Sequence, residues 1–378
     1  MPPEPMVDMR AATAICTERL MVAGRRTPLR SRRMAPACGK SQKGFLFEAR
    51  FQMDSLREAA MRRFLVAWFA ASLLGSTPAF AWNNFGHMEV AAFAWERLTP
   101  TTKATVAQLL QRNPLFDTFT NGVAASDKDR IAFILASTWP DIIKRDPEYH
   151  NDGAHNGDVP PPGPDAGRNI GYIDKLRHKY WHFVDTPFSP DGTPTQDATF
   201  PNAQTQIPIL RAALADPNNH DDDLKSYDLV WLLHLVGDVH QPLHATQRFT
   251  TASPDGDAGG NAVRVHCNVG SCHGANELHA YWDGLLGPSD GTPQAAAAAA
   301  KELNEPDASR SAISDESVWI QESVELAKKV AYHSPEVGHG NGPFQLPQNY
   351  QTNAEQVAKE RIALAGARLA SLLNAALR

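Results

Sequence analysis

Apolar residues recur at helical spacing over most of the chain, broken by long polar stretches. Met88 to Arg97 reads as an amphipathic helix. Thr99 and Pro100 then read as an N-cap and first-turn proline of a second helix, to about Arg112. A third should start near Ser126 or Asp127, run through Ile131, Phe133, Ile134 and Leu135, and be broken or kinked by Pro140. Residues 151–169, rich in Gly, Pro, Asp and Asn, and residues 187–203 read as loops. A helix to about Ala215 leads into a strongly apolar one from roughly Asp222 to Gln241. Asn261 to Cys267 alternates like a strand, and the cysteine loop behind it suggests a short β-hairpin. An alanine-rich helix at 293–303 and amphipathic helices from Glu316 to Tyr332 and Asn353 to Leu377 complete an all-α pattern without internal repeats. The expectation is a mostly helical single domain with long loops.

The stretch Trp231–His244 does not fit a purely structural role. His234 and Asp238, four apart, share one helical face, and Pro242 should end the helix near Gln241, leaving His244 on the turn beyond. A buried carboxylate among histidines is costly unless a positive charge holds it. His and Asp without thiolate suit zinc in a hydrolytic site. The plain alternative is a core helix with a few satisfied polar groups. A second His–Asp pair at the same spacing, His279 and Asp283, and further candidates His87, Asp141 and His182 favour the metal reading. Eight such ligands are too many for one tetrahedral site, so two or three ions are implied. Asp238, between His234 and His244, is placed to bridge two of them. Paired ions clamp the attacking and leaving oxygens of a phosphoester displacement.

The N-terminus changes the picture of the compartment. Residues 1–60 carry no sustained apolar period and read as a leader or a mis-called extension. Residues 61–81 have a basic start, a short apolar run and a small-x-small end at Ala79 and Ala81, the marks of a secretory signal. The run is short for a membrane span, and no other segment has the length and apolarity for one. Cleavage after Ala81 would leave Trp82 first, in a secreted or periplasmic protein. The remaining 82–378 has 23 basic and 36 acidic residues, so no broad basic face is expected. It keeps two cysteines, Cys267 and Cys272, which should form a short disulfide in an oxidising compartment.

Taken together, Trp82 with His87, the Trp-Pro-Asp141 turn, Trp-His182-Phe-Val-Asp185, His234-x3-Asp238-x5-His244 and Asn-Glu-Leu-His279-x3-Asp283 resemble the S1/P1 nucleases over essentially all of 82–378. The resemblance implies a phospholipase C/P1 nuclease-like all-α domain holding three zinc ions (Zn2+). It assigns Asp141, His182, His234 and Asp238 to one ion. The free amine and carbonyl of Trp82, with His87 and Asp238, would hold a second, and His244, His279 and Asp283 a third. It makes Asp185 the carboxylate that orients the attacking water and Phe183 the aromatic that stacks on a base. Lys144 stands where relatives often carry Arg, so the bidentate grip on phosphate is lost while the charge is kept.

The implied activity is hydrolysis of single-stranded DNA or RNA to 5′-phosphate products, with 3′-nucleotidase activity as a companion. Exposed bases stack on an aromatic; duplex bases must first be unstacked. The acidic charge argues against a long backbone-tracking groove. A zinc phospholipase C is the alternative, disfavoured by the short Trp82–His87 spacing and by Asp at 283 where those enzymes tend to have Glu. A non-catalytic zinc-binding protein is the third reading. The partner is a single-stranded nucleic acid or nucleotide substrate; no stable protein partner and no membrane attachment of the mature part are expected.

Overall fold

The computed structural model describes residues 82–270 and 272–378; the leader and signal readings at 1–60 and 61–81 lie outside them. The helix α7 (Asp222–Asp238) runs through the middle of the core. Asp221 caps it, accepting from the Asp223 and Leu224 amides, and Asp222 and Asp223 complement the positive end of its dipole. Every residue from Ser226 to Asp238 is buried. A helix buried on all sides needs no amphipathic stripe. Around it pack α1 (Asn84–Trp95), α2 (Pro100–Leu110), α5 (Trp139–Ile143), α6 (Ala203–Ala215) and the long α12 (Gln348–Ala376). The short α3 (Phe116–Thr120) and α4 (Lys128–Ala136) join α2, and α1 is flanked by α4, α9 (Pro293–Lys301) and α12. Helices α8 (Leu278–Asp283), α10 (Ala308–Ser311) and α11 (Glu316–Leu326) complete the all-α fold. As expected, Thr99 caps α2, and Pro140 lies in the first turn of α5 after the break from α4.

Two details depart from the sequence reading. The strand at Val265–Cys267 (β3) is not one arm of a hairpin: it pairs in parallel with β4 (Phe344–Leu346), nearly eighty residues away. Among the described residues, the return arm after the cysteine loop makes one antiparallel bridge, Arg264 to Glu277. Helix α7 stops at Asp238, three residues before Gln241. The Gln241 side chain instead accepts from the Leu243 amide and opens a 3-10 turn, Pro242–Ala245, which redirects His244. Helix α12 fixes this corner. Arg361 donates to the His240 carbonyl (3.0 Å), and Arg368 to His240 Nε2 (2.9 Å), while His240 Nδ1 donates to the Val236 carbonyl. Both buried guanidiniums also bind Glu322, whose carboxyl, despite partial burial, is held down at about 2. His240 is thus scaffold.

A second parallel ladder ties together two ligand-bearing segments. Strand β1 (Thr186–Phe188), just past His182, pairs with β2 (Thr246–Arg248), just past His244. The Val184 amide donates to the His244 carbonyl at 2.7 Å and extends the pairing toward the site.

Candidate metal centre

Asp141 lies in the first turn of α5, where the helix dipole favours a carboxylate. His234 and Asp238 project from α7, one turn apart, and His182 follows the 3-10 turn Lys179–Trp181. These four converge. His234 Nε2 is 2.9 Å from His182 Nδ1 and 3.3 Å from Asp238 Oδ2. His182 Nδ1 is 3.2 Å from the same Asp238 oxygen. Asp141 Oδ1 is 3.6 Å from His234 Nε2 and 3.9 Å from His182 Nδ1. Four ligands about 2.0–2.1 Å from a zinc ion define a tetrahedron with edges of about 3.3–3.4 Å. The observed spacings straddle that value.

Asp238 divides its two oxygens. Oδ2 faces His182 and His234, while Oδ1 faces His87 Nε2 at 3.2 Å. The His87 ring stacks on that of His234, centroids 3.8 Å apart. Trp82 is fully buried beside them. Two glycines make this approach possible. A methyl group on Gly86 would stand 2.8 Å from Trp82 Cβ, and one on Gly237 would stand 3.0 Å from His87 Nδ1. His87 cannot give way without moving the stacked His234. Gly237→Ala is therefore expected to lower activity about 10- to 100-fold, as loss of a ligand's supporting contact does. Melting of the metal-free protein should fall only slightly, because the gain of about 1 kcal/mol in helix propensity offsets part of the overpacking, about 1–3 kcal/mol. Activity, metal content and thermal melts of the variant check both halves.

The third cluster is His244, His279 and Asp283. The two Nε2 atoms face each other at 2.9 Å, and Asp283 oxygens lie 3.9 and 3.5 Å from them. His244 Nδ1 meets the His182 carbonyl at 2.9 Å and His279 Nδ1 the Gly259 carbonyl at 2.7 Å. A carbonyl only accepts, so both Nδ1 atoms carry the proton and both Nε2 atoms turn lone pairs toward each other. Such an arrangement is repulsive unless a cation lies between. His234 shares the first half of this pattern: its Nδ1 lies on the Ser137 carbonyl at 2.7 Å, so its Nε2 turns a lone pair toward His182.

The electrostatics fit the same reading. Burial drives the His87 imidazole down to about 4 and those of His182 and His234 well below their ordinary range, with Lys144 adding to the effect at each. Burial drives the Asp238 and Asp283 carboxyls well above theirs, and Asp141 adds to both. Among the described residues, both His87 nitrogens, His182 Nε2, Asp141 Oδ2 and Asp238 Oδ1 are buried without a hydrogen-bond partner. Acceptors and lone pairs collected in a dry pocket call for positive charge. The buried Lys144 ammonium leans in, 2.7 Å from Asp141 Oδ1, partly supplying it. The donor set, without thiolate, suits divalent ions. Three groups could hold one: His87–Asp141–His234, His182–His234–Asp238 and His244–His279–Asp283.

Phe183, half-buried, follows His182, and Asp185 is at the centre of a three-residue turn closed by the Thr186 amide on the Val184 carbonyl (2.8 Å). Burial, with Asp257 and Asp158 near, pushes the Asp185 carboxyl up to about 7. Sequence reasoning missed Gln241, which donates to Asp283 Oδ1 at 2.6 Å, as well as Gly237 and the three carbonyls that set the histidine tautomers. The pairing of Cys267 with Cys272 is realised as a disulfide, Cα atoms 5.4 Å apart.

The buried His and Asp side chains of this mainly helical chain gather into three groups that could each hold a metal ion, the arrangement of a metal-dependent hydrolase. The model of the S1/P1 Nuclease family matches residues 82–378, and the chain belongs to that family. Among curated proteins it is similar to Endonuclease 3 of Arabidopsis thaliana, 26% identical over 313 residues, which cover 78% of this chain and 89% of that protein.

Proposed function

We propose that the chain is a secreted or periplasmic zinc nuclease that hydrolyses single-stranded DNA and RNA to 5′-phosphate products and also acts on 3′-nucleotides. The observation that carries this reading is the convergence of buried ligands around Asp238, one oxygen toward each of two clusters. Three zinc ions would be held by Asp141, His182, His234 and Asp238; by Trp82, His87 and Asp238; and by His244, His279 and Asp283. Bound there, they would supply Lewis-acid stabilisation of the phosphoryl oxygens and make the attacking water more acidic. Asp185 orients that water and accepts its proton. Lys144 meets the negative charge that builds on the phosphoryl group, as a point charge rather than a fork. Phe183 offers a ring face to an unstacked base, which supports preference for single strands. With an acidic net charge and no expected broad basic face, affinity should depend little on strand length.

The test is zinc stoichiometry on protein beginning at Trp82, with rates on single-stranded DNA, duplex DNA and phosphatidylcholine. Three zinc ions per chain and cleavage of single strands at least about ten times faster than duplex are expected, since duplex bases carry an unstacking cost of a few kcal/mol. Turnover of phosphatidylcholine without nucleic-acid cleavage would overturn the substrate assignment.

A further inference from the structure

His178 has no place in the metal centre, yet it anchors a dense buried network. Its Nδ1 is 2.7 Å from Asp152 Oδ2 and its Nε2 is 2.9 Å from Asp174 Oδ2. Its ring lies flat on Trp181, centroids 3.8 Å apart and planes 2° from parallel. Its backbone holds a left-handed φ of 43°, costly for a residue with a side chain and sustained only where contacts enforce it. Asp152 also accepts from the Tyr180 hydroxyl at 2.5 Å and from the His178 amide. Asp174 also accepts from Tyr227 of α7 at 2.9 Å.

These contacts join two parts of the site. Asp152 belongs to the loop 151–169; His178 begins the turn that ends at His182. The same loop is held by Tyr180 and Trp181 on the Ala166 carbonyl and by Lys179 on the Asn156 carbonyl. Its Asp158 feels the charge of Lys144 and helps raise the Asp185 carboxyl, so the loop borders the reaction centre. The ring of Trp231 stands against both His178 and His182.

We propose that His178 is a positioning residue: held between Asp152 and Asp174, it pins the loop 151–169 to the His182 turn and so sets how closely a single-stranded substrate is enclosed. Only the imidazolium has two N–H donors, so only it satisfies both carboxylates; neutral, it turns a lone pair toward one of them. Burial disfavours that cation, but the two carboxylates outweigh burial and raise the imidazole above its ordinary range. The other titratable groups that face it are the Tyr180 and Tyr227 hydroxyls, both pushed up and neutral at physiological pH. The pin therefore holds below the raised value and loosens as pH rises through it.

The kinetic consequence rests on the proposed nuclease function; the structural one does not. The experiment uses zinc-loaded protein starting at Trp82 and the isosteric variant Asp152→Asn, with His178→Gln beside it. It records amide hydrogen exchange of residues 151–169 from pH 5 to 9, and KM and kcat on a single-stranded oligonucleotide. In the wild type, protection of 151–169 should be lost as pH rises across this range. Asp152→Asn should move that loss about one pH unit lower and raise KM about tenfold at neutral pH, the equivalent of one pKa unit. Zinc content and kcat should change less than about twofold. Unchanged exchange and KM in Asp152→Asn, or zinc and kcat falling together, would overturn the assignment. Should His178→Gln fail to fold, Asp152→Asn still decides. Altered exchange without any nuclease turnover in the wild type would leave the pin standing and sink only the substrate.

Discussion

Asp238→Asn should make the metal-free protein more stable and the metal-loaded protein inactive. The carboxylate is fully buried, its carboxyl lies well above the ordinary range through burial, and Asp141 repels it further. Asn keeps the shape and removes the charge. Because the folded form prefers the protonated acid, the wild type loses stability as pH rises above the unfolded value of about 3.9. The gain from Asn should therefore be absent near pH 4 and grow toward neutrality, at about 2–4 °C in Tm for each kcal/mol relieved. With zinc the order reverses: a neutral amide cannot bridge two ions, and kcat/KM should fall about 10⁴-fold or more. Paired melts with and without chelator, across pH, together with kinetics, test both signs. A metal-free variant less stable than wild type at pH 7 would mean that Asp238 is neutralised by something other than an ion.

The opposite demands that helix α7 makes on its residues explain what could be read from the sequence. Charged groups within an apolar run are visible locally, so His234, Asp238, His279 and Asp283 stand out by spacing alone. His87, Asp141 and His182 enter on weaker grounds, because each lies on a different element and only the fold brings them together. The proton positions were invisible, since they depend on carbonyls of Ser137, His182 and Gly259 that any residue could supply. Gly237 carries no signal of its own in the sequence; its meaning is the missing methyl group that admits His87. The partner of Val265–Cys267 could not be read because local alternation reports a strand and says nothing of a neighbour at Phe344. His178 escaped for a related reason: Asp152 lies 26 residues away, and Asp174, four residues before it, sits in an irregular stretch where that spacing carries no helical meaning.

A single residue added before Trp82 should abolish most of the activity while leaving the fold intact. Asn83 is fixed on several sides. Its amide donates to the Asp283 carbonyl at 3.0 Å, its side chain caps α1 and reaches the Gly287 carbonyl, and its own carbonyl accepts from His87. The backbone of the preceding residue is thereby held near the third cluster and His87, with its indole packed on Gly86. Under the proposed reading that backbone supplies two ligand atoms, the terminal amine and the carbonyl. An amine, with an ordinary pKa of about 7.7–8.0, has a lone pair to give; the amide made by an added residue has none. A Gly–Trp82 form should therefore bind two zinc ions in place of three and lose about 10³-fold or more in kcat/KM, at least the cost of one electrostatic contact to the transition state. Its metal-free Tm should match that of the form starting at Trp82, because the buried indole and the Asn83 contacts remain. Removing the glycine with an aminopeptidase should restore both the third ion and the rate. Full activity with three ions in the extended form would mean that the second ion takes its remaining ligands from somewhere other than the chain end.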